Sequence, residues 1–100
     1  MSWEKACHVN EIGNEQPRRA VLNNTPVLLA RVEGELKAWS DSCLHRGTSL
    51  SQSNIDSGVV TCPAHFWQFD LRNGRCVQVP SATLKAFNLK TERDIVYVEI

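Results

Sequence analysis

The sequence predicts an all-β fold, an antiparallel sandwich or barrel, on three observations. Short segments of alternating apolar and polar residues recur along the chain. Turn signals separate them at close intervals, and no window sustains the 3.6-residue apolar period of a long helix. "WEKAC" opens with Trp3 and Cys7 around Lys5 and reads as a strand that "NEIGNEQP" breaks. "RRAVL", the turn Asn23-Asn24-Thr25-Pro26 and "VLLARVE" read as a hairpin, because asparagine tolerates the positive φ of a tight turn. Gly34-Glu35 is a second turn, after which "LKAWS" alternates Leu36, Ala38 and Ser40 against Lys37 and Trp39. "TSLSQSNIDSG" reads as a polar loop, "VVT" as a short strand and "HFWQFDL" as extended chain. "RNGR" turns, "CVQV" returns and Pro80 ends it; "LKAFNLK", the turn "TERD" and "IVYVEI" form a closing hairpin.

Composition narrows the function. One hundred residues make one domain, 1–100, whose modest core a metal centre would supplement. Lysine plus arginine equals aspartate plus glutamate at 11 each, interspersed along the chain, so a phosphate backbone has no basic stripe to meet. The longest apolar run, Pro26 to Ala30, is far too short to cross a bilayer. "MSWEKACHVN" has no apolar signal core, and the expected compartment is the cytosol, where thiols stay reduced. Cys7 and Cys76 are expected in the core and His8 on the surface.

The remaining cysteines and histidines are paired. "CLHRG" places Cys43 and His45 in a C-x-H; sixteen residues intervene before "CPAHFWQFD", where Cys62 and His65 form a C-x-x-H. Each pair lies on a loop entered from a strand, so a rigid sheet can aim both at one point. Soft sulfur and imidazole nitrogen together suit a metal. Donor type alone leaves two readings, a tetrahedral structural zinc or a 2Fe–2S cluster with cysteines on one iron and histidines on the other. The spacing favours the cluster, because each loop supplies one donor of each kind and no helix carries the histidines.

These stretches resemble the Rieske iron–sulfur signature. The resemblance covers nearly all of the chain and implies the Rieske fold: an antiparallel β-sandwich base carrying a small cluster-binding subdomain of two loops, about 41–69. It implies one 2Fe–2S cluster held by Cys43, His45, Cys62 and His65, each histidine binding through one ring nitrogen and leaving the other near solvent. In respiratory Rieske proteins each loop carries an extra cysteine, and the two form a disulfide; Thr48 and Ala64 stand there instead. Trp67 and Phe69 occupy the places of a serine and a tyrosine whose hydroxyls stabilise the reduced cluster. Without those donors the expected potential lies near the low end of the Rieske span, about −150 mV.

The resemblance implies a soluble one-electron carrier and no catalyst. After the ligands are assigned only His8 remains for a second metal site, and no G-x-G-x-x-G loop binds a dinucleotide. Expected partners are a flavin-containing NAD(P)H reductase and an oxygenase hydroxylase, both transient, with Leu44, Arg46, Pro63, Phe66 and Trp67 framing the docking tip. Trp67 reads equally as a core aromatic packed behind His65, and Asp70 as support for the turn that follows. Gly47 is expected to allow close backbone approach and Pro63 to stiffen the second loop. The tryptophan two places after His65 and the opening "MSWEKAC" are similar to ferredoxins of toluene- and alkene-type di-iron monooxygenases. Ferredoxins of aromatic-ring dioxygenases are the alternative acceptor class, and a nitrite-reductase small subunit is a more distant one.

Overall fold

A computed structural model describes residues 2–42, 48–64 and 66–100. Eleven strands follow in order: β1 (Trp3–His8), β2 (Arg18–Leu22), β3 (Thr25–Val32), β4 (Glu35–Ser40), β5 (Ile55–Asp56), β6 (Val59–Thr61), β7 (Gln68–Asp70), β8 (Arg75–Cys76), β9 (Ala86–Phe87), β10 (Leu89–Glu92) and β11 (Ile95–Glu99). They form three antiparallel sheets, ordered β1-β11-β10, β2-β3-β4-β9 and β5-β6-β7-β8. The described residues contain no α-helix, only a single 3-10 turn, Val9–Glu11. His8 caps that turn: its Nδ1 accepts from the Asn10 N–H and its own N–H donates to Glu11 Oε2. The all-β, antiparallel expectation holds for the described residues.

The second sheet lies between two cores. Successive strand residues face opposite ways, so Val27 and Leu29 of β3 join Ala38, Val96, Val98 and Cys7 on one side. Leu28, Ala30 and Val32 join Trp39, Val60, Phe69 and Cys76 on the other. The apolar run at β3 is the sequence of a strand buried on both faces. Each fully buried leucine or valine there stabilises the fold by about 1.5–3 kcal/mol. The same double burial corrects the expected alternation in "LKAWS": Ala38 and Trp39 are both buried, one in each core.

Several boundaries differ from the sequence expectation, each for a local reason. The turn after β2 is Asn23-Asn24 alone, both at positive φ, and Thr25 and Pro26 already pair with Leu22 and Val21. The next turn is Glu33-Gly34, one residue before the expected Gly34-Glu35, because the register closes on Val32 and Glu35. "TSLSQSNIDSG" holds β5, and its Leu50 and Ile55 are buried. "CVQV" keeps only Cys76 in β8, after which the chain bends. "LKAFNLK" divides between β9 and β10 in different sheets, and the last turn is Arg93-Asp94 rather than all of "TERD".

The turn from β7 to β8 locks the third sheet against the second. Asp70 accepts from the Arg72 backbone N–H (3.0 Å), Nε (2.9 Å) and Nη2 (3.0 Å), and Arg72 Nη1 reaches Glu33 (3.3 Å). The turn-supporting role expected of Asp70 is what the structure shows. Hydrogen bonds from the Arg72 side chain hold its carboxyl below the usual carboxylate range. Gly74 follows at φ +79°, and a Cβ there would sit 2.6 Å from Trp39 Cζ3. Trp39 cannot retreat, since its Nε1–H donates to the Leu71 carbonyl (3.1 Å).

Two predictions follow from this corner. Gly74→Ala combines a left-handed φ with a collision against a fixed ring and lowers the unfolding free energy by about 2–4 kcal/mol, measured by urea denaturation. Arg72→Gln lowers the melting temperature at neutral pH. The depressed Asp70 pKa contributes stability above the unfolded-state value and loses it as pH falls through the folded value. The difference between wild type and variant therefore closes in acid, and an undiminished gap at about pH 2 contradicts the assignment.

Candidate metal centre

The second ligand stretch grows directly from the third sheet. β6 and β7 pair Val60 with Phe69 and Thr61 with Gln68. Counted one rung further, that register sets Cys62 opposite Trp67, and the Cys62 N–H indeed donates to the Trp67 carbonyl at 2.7 Å. The connection is thus residues 63–66, closed again by the Phe66 N–H on the Cys62 carbonyl at 2.8 Å. This hairpin accounts for the C-x-x-H spacing: the cysteine stands on the last rung and the histidine position falls in the connection. Pro63 presets φ at its start.

Phe66 ends the connection at φ +61°, a left-handed conformation that costs a non-glycine residue about 1–2 kcal/mol. Hydrogen bonds on both sides hold it there, as strained residues at functional loops require. "HFWQFDL" is therefore not continuously extended: among its described residues only Gln68–Asp70 form strand. Phe66 is 71% exposed, Pro63 and Ala64 are exposed, and Cys62 is fully buried. Trp67 is half-buried and packs against the core that contains Cys62, which agrees with the core reading of this residue.

The first ligand stretch is described through its flanks. Cys43, Leu44, His45, Arg46 and Gly47, together with His65, lie outside the described residues. Before them stands Asp41, the one fully buried charged side chain among the described residues. Its Oδ1 accepts from the backbone N–H groups of Leu50 (2.7 Å) and Ser51 (2.9 Å). Its Oδ2 accepts from Ser49 Oγ (2.7 Å), Ser51 Oγ (2.8 Å) and Arg19 Nη1 (3.0 Å). Leaving such a charge unpaired costs about 3–5 kcal/mol, which is why one carboxylate gathers so many donors. Leu50, just past the stretch, packs in the same core as Cys62 and Trp39. The described flank of the first stretch and the buried Cys62 of the second therefore share one core.

Sequence reasoning missed Asp41 and a second edge of the tip. The available signal for Asp41 was an aspartate two places before Cys43 with serines clustered downstream, a pattern suited to side-chain capping of a loop. The second edge is Val77–Val79. The Val77 N–H donates to the Gln68 carbonyl (2.7 Å), and Gln78 Oε1 accepts from the Gln68 N–H (2.9 Å) while its Nε2 donates to Gln68 Oε1 (3.1 Å). Val77 and Val79 are 53% and 37% exposed beside the second loop. No charged residue occurs from Val59 to Phe69 or from Cys76 to Leu84, so these two stretches carry apolar and uncharged polar groups.

Other candidate groups are accounted for elsewhere. Cys7 and Cys76 lie in different cores and neither is disulfide-bonded, as expected of core residues. Burial, then Glu11, pushes the Cys7 thiol up, and Arg18 partly offsets this. A cleft of about 760 Å³ lies among Glu15, Arg31, Glu33, Asn54, Asp56 and Arg72, and no expected site residue lines it. Its cations are committed, Arg31 to the carbonyls of Val9 and Ile12 and Arg72 to Asp70 and Glu33.

Comparison with known proteins follows this geometry. The family model for the Rieske [2Fe-2S] domain matches residues 2–88. The chain is 30% identical over its full length to the ferredoxin component of biphenyl 2,3-dioxygenase from Rhodococcus jostii, of which it covers 94%. It is 30% identical over 90% of its length to the ferredoxin component of the alkene monooxygenase system from Xanthobacter autotrophicus, covering 66% of that protein. With human apoptosis-inducing factor 3 it shares 34% identity over 92% of its length but spans only 15% of that longer protein. Among solved structures, a chain from the complex of reduced oxygenase and oxidized ferredoxin in carbazole 1,9a-dioxygenase superposes with a TM-score of 0.83 at 28% identity, covering 96% of this chain and 100% of that one. A strand ladder that ends on a buried cysteine, an expected ligand set of two sulfurs and two imidazoles, and a match across 2–88 make this chain a member of the Rieske [2Fe-2S] domain family.

Proposed function

We propose that the protein is a one-electron carrier, the ferredoxin component of a multicomponent oxygenase. The observation that supports this most is the extent of the match, 94% of one ferredoxin component and 100% of a chain from an oxygenase–ferredoxin complex. The family's cofactor is a 2Fe–2S cluster, which leaves no place for the zinc alternative. In this reading Cys43 and Cys62 hold one iron and His45 and His65 the other, within the subdomain of about 41–69. The donor chemistry fits, and Cys62 supplies a sulfur shielded from water at the end of a rigid ladder. A bound cluster supplies one-electron storage at a potential set by charge, hydrogen bonds and exposure.

The protein's own residues set the conditions for transfer. Trp67 and Phe69 bring no hydroxyl to the centre, consistent with a potential near the low end, about −150 mV. Leu44, Arg46, Pro63, Phe66 and Trp67 frame the docking tip, and the exposed Phe66 and Val77 give an apolar rim with few charges to hold a partner for long. Donor and acceptor are a flavin-containing NAD(P)H reductase and an oxygenase hydroxylase, both engaged transiently, in the cytoplasm. No helix among the described residues is long and apolar enough to cross a membrane.

For the acceptor we favour a di-iron monooxygenase acting on aromatic or alkene hydrocarbons, on Trp67 two places after His65 and the opening "MSWEKAC". A ring-hydroxylating dioxygenase is the second reading, favoured by the fuller coverage of the biphenyl dioxygenase ferredoxin, 94% against 66% for the alkene monooxygenase one.

Two outcomes test the proposal. With a flavin reductase and NADH, the loaded protein supports hydroxylation by a toluene- or alkene-type hydroxylase and gives no product when the hydroxylase is omitted; product formed without it defeats the carrier assignment. His45→Cys retains a cluster but adds a thiolate's negative charge, so its midpoint potential falls in a redox titration. An unchanged potential removes His45 from the ligand set.

A further inference from the structure

The Asp41 carboxylate joins the two ends of the first ligand stretch. Asp41 belongs to the segment that enters it, and its own N–H donates to the Pro26 carbonyl of β3 (3.1 Å). Four of its five donors, from Ser49, Leu50 and Ser51, belong to the segment that leaves it. Asp41 and the segment 49–51 are thus tied together by one side chain with no exposed surface. Adjacent Cα atoms are 3.80 Å apart, so the Asp41 Cα lies within about 7.6 Å of the Cys43 Cα.

Only a carboxylate suits this neck. Each oxygen meets at least one group that can only donate, so an amide would turn its NH2 either onto the Leu50 and Ser51 N–H groups or onto the Arg19 guanidinium. The charge is also only partly neutralised. Asp41 is buried, whereas its one cationic partner, Arg19, has a side chain 45% exposed to water that screens it. A fixed anion two residues along the chain from an expected metal ligand opposes the arrival of an electron.

We propose that Asp41 is the positioning residue of the metal centre: it fixes the neck from which Cys43 and His45 are presented and, through its buried charge, lowers the centre's reduction potential. This rests on the reading of Cys43 and His45 as ligands. Arg19 is the counter-charge that limits the second effect.

The test uses the full chain loaded with its cluster, with iron release to a chelator and midpoint potential as readouts. Asp41→Asn releases iron at least ten-fold faster and shifts the potential upward. Ser49→Ala/Ser51→Ala, which keeps the charge but removes two donors, releases iron faster with little change in potential. Arg19→Met retains iron within two-fold of wild type and shifts the potential downward, because the carboxylate loses its counter-charge. Hydrogen exchange at the Leu50 and Ser51 amides of the metal-free chain accelerates in Asp41→Asn. If Asp41→Asn does not fold, the Arg19→Met potential decides: a downward shift supports the charge effect and an unmoved potential overturns it. A folded Asp41→Asn with wild-type iron release and potential overturns the whole inference. A wild-type chain that takes up no cluster defeats the ligand reading itself, an outcome distinct from variants that behave like a loaded wild type.

Discussion

Four consecutive residues of β3, Val27 to Ala30, have no exposed surface, and the rest of the molecule is arranged around that fact. A strand apolar on both faces needs a layer on each side. The β1-β11-β10 sheet covers one, and the small sheet that carries the ligand hairpin covers the other. The metal-bearing end is therefore not an appendage on an independent sandwich. It supplies half of the burial that β3 requires, through Ile55, Val60, Phe69 and Leu71 packed against Leu28, Ala30 and Trp39. Folding the base and presenting the ligand loops are one event in packing terms, and Trp39, wedged between Gly74 and the Leu71 carbonyl, is where the two meet.

The two ligand stretches are held by different physics. Backbone pairing closes the second: the β6–β7 ladder runs on to Cys62 and Trp67, and a strained Phe66 completes the turn. Side-chain chemistry closes the first, with Asp41 tying its entrance to its exit. The difference matches the sequence, since "CPAHFW" is a four-residue connection between paired residues whereas "SCLHRGT" sits between the end of β4 and a serine-rich segment whose described residues 48–51 belong to no strand.

Much of this was legible in the residues. Period-two alternation and asparagine or glycine turn signals located β1, β2, β6 and β11 closely, and the paired cysteines and histidines carried the resemblance to the family that the chain belongs to. What escaped was set by tertiary contact. Double burial of β4 cannot be seen in an alternating string, and β5 is two residues long inside a polar run whose Leu50 and Ile55 gave the only hint. "LKAFNLK" looks like one strand because nothing local says that its halves join different sheets. Asp41 reads as one more polar loop residue until the donors converging on it are seen in three dimensions.

An electron carrier needs a centre held rigidly near a surface that partners can approach and leave. Here the ladder to Cys62 and the hydrogen bonds of Asp41 supply rigidity, and the stretches Val59 to Phe69 and Cys76 to Leu84, which carry no charge, ease approach. The most direct measurement of the central claim is the Mössbauer spectrum of the reduced, iron-loaded protein together with its iron and sulfide content. The account predicts paired iron sites in unlike coordination, one with sulfur alone and one with sulfide and imidazole, and sulfide equal to iron. Equivalent iron sites, or a protein that retains zinc in place of iron and sulfide, would contradict it.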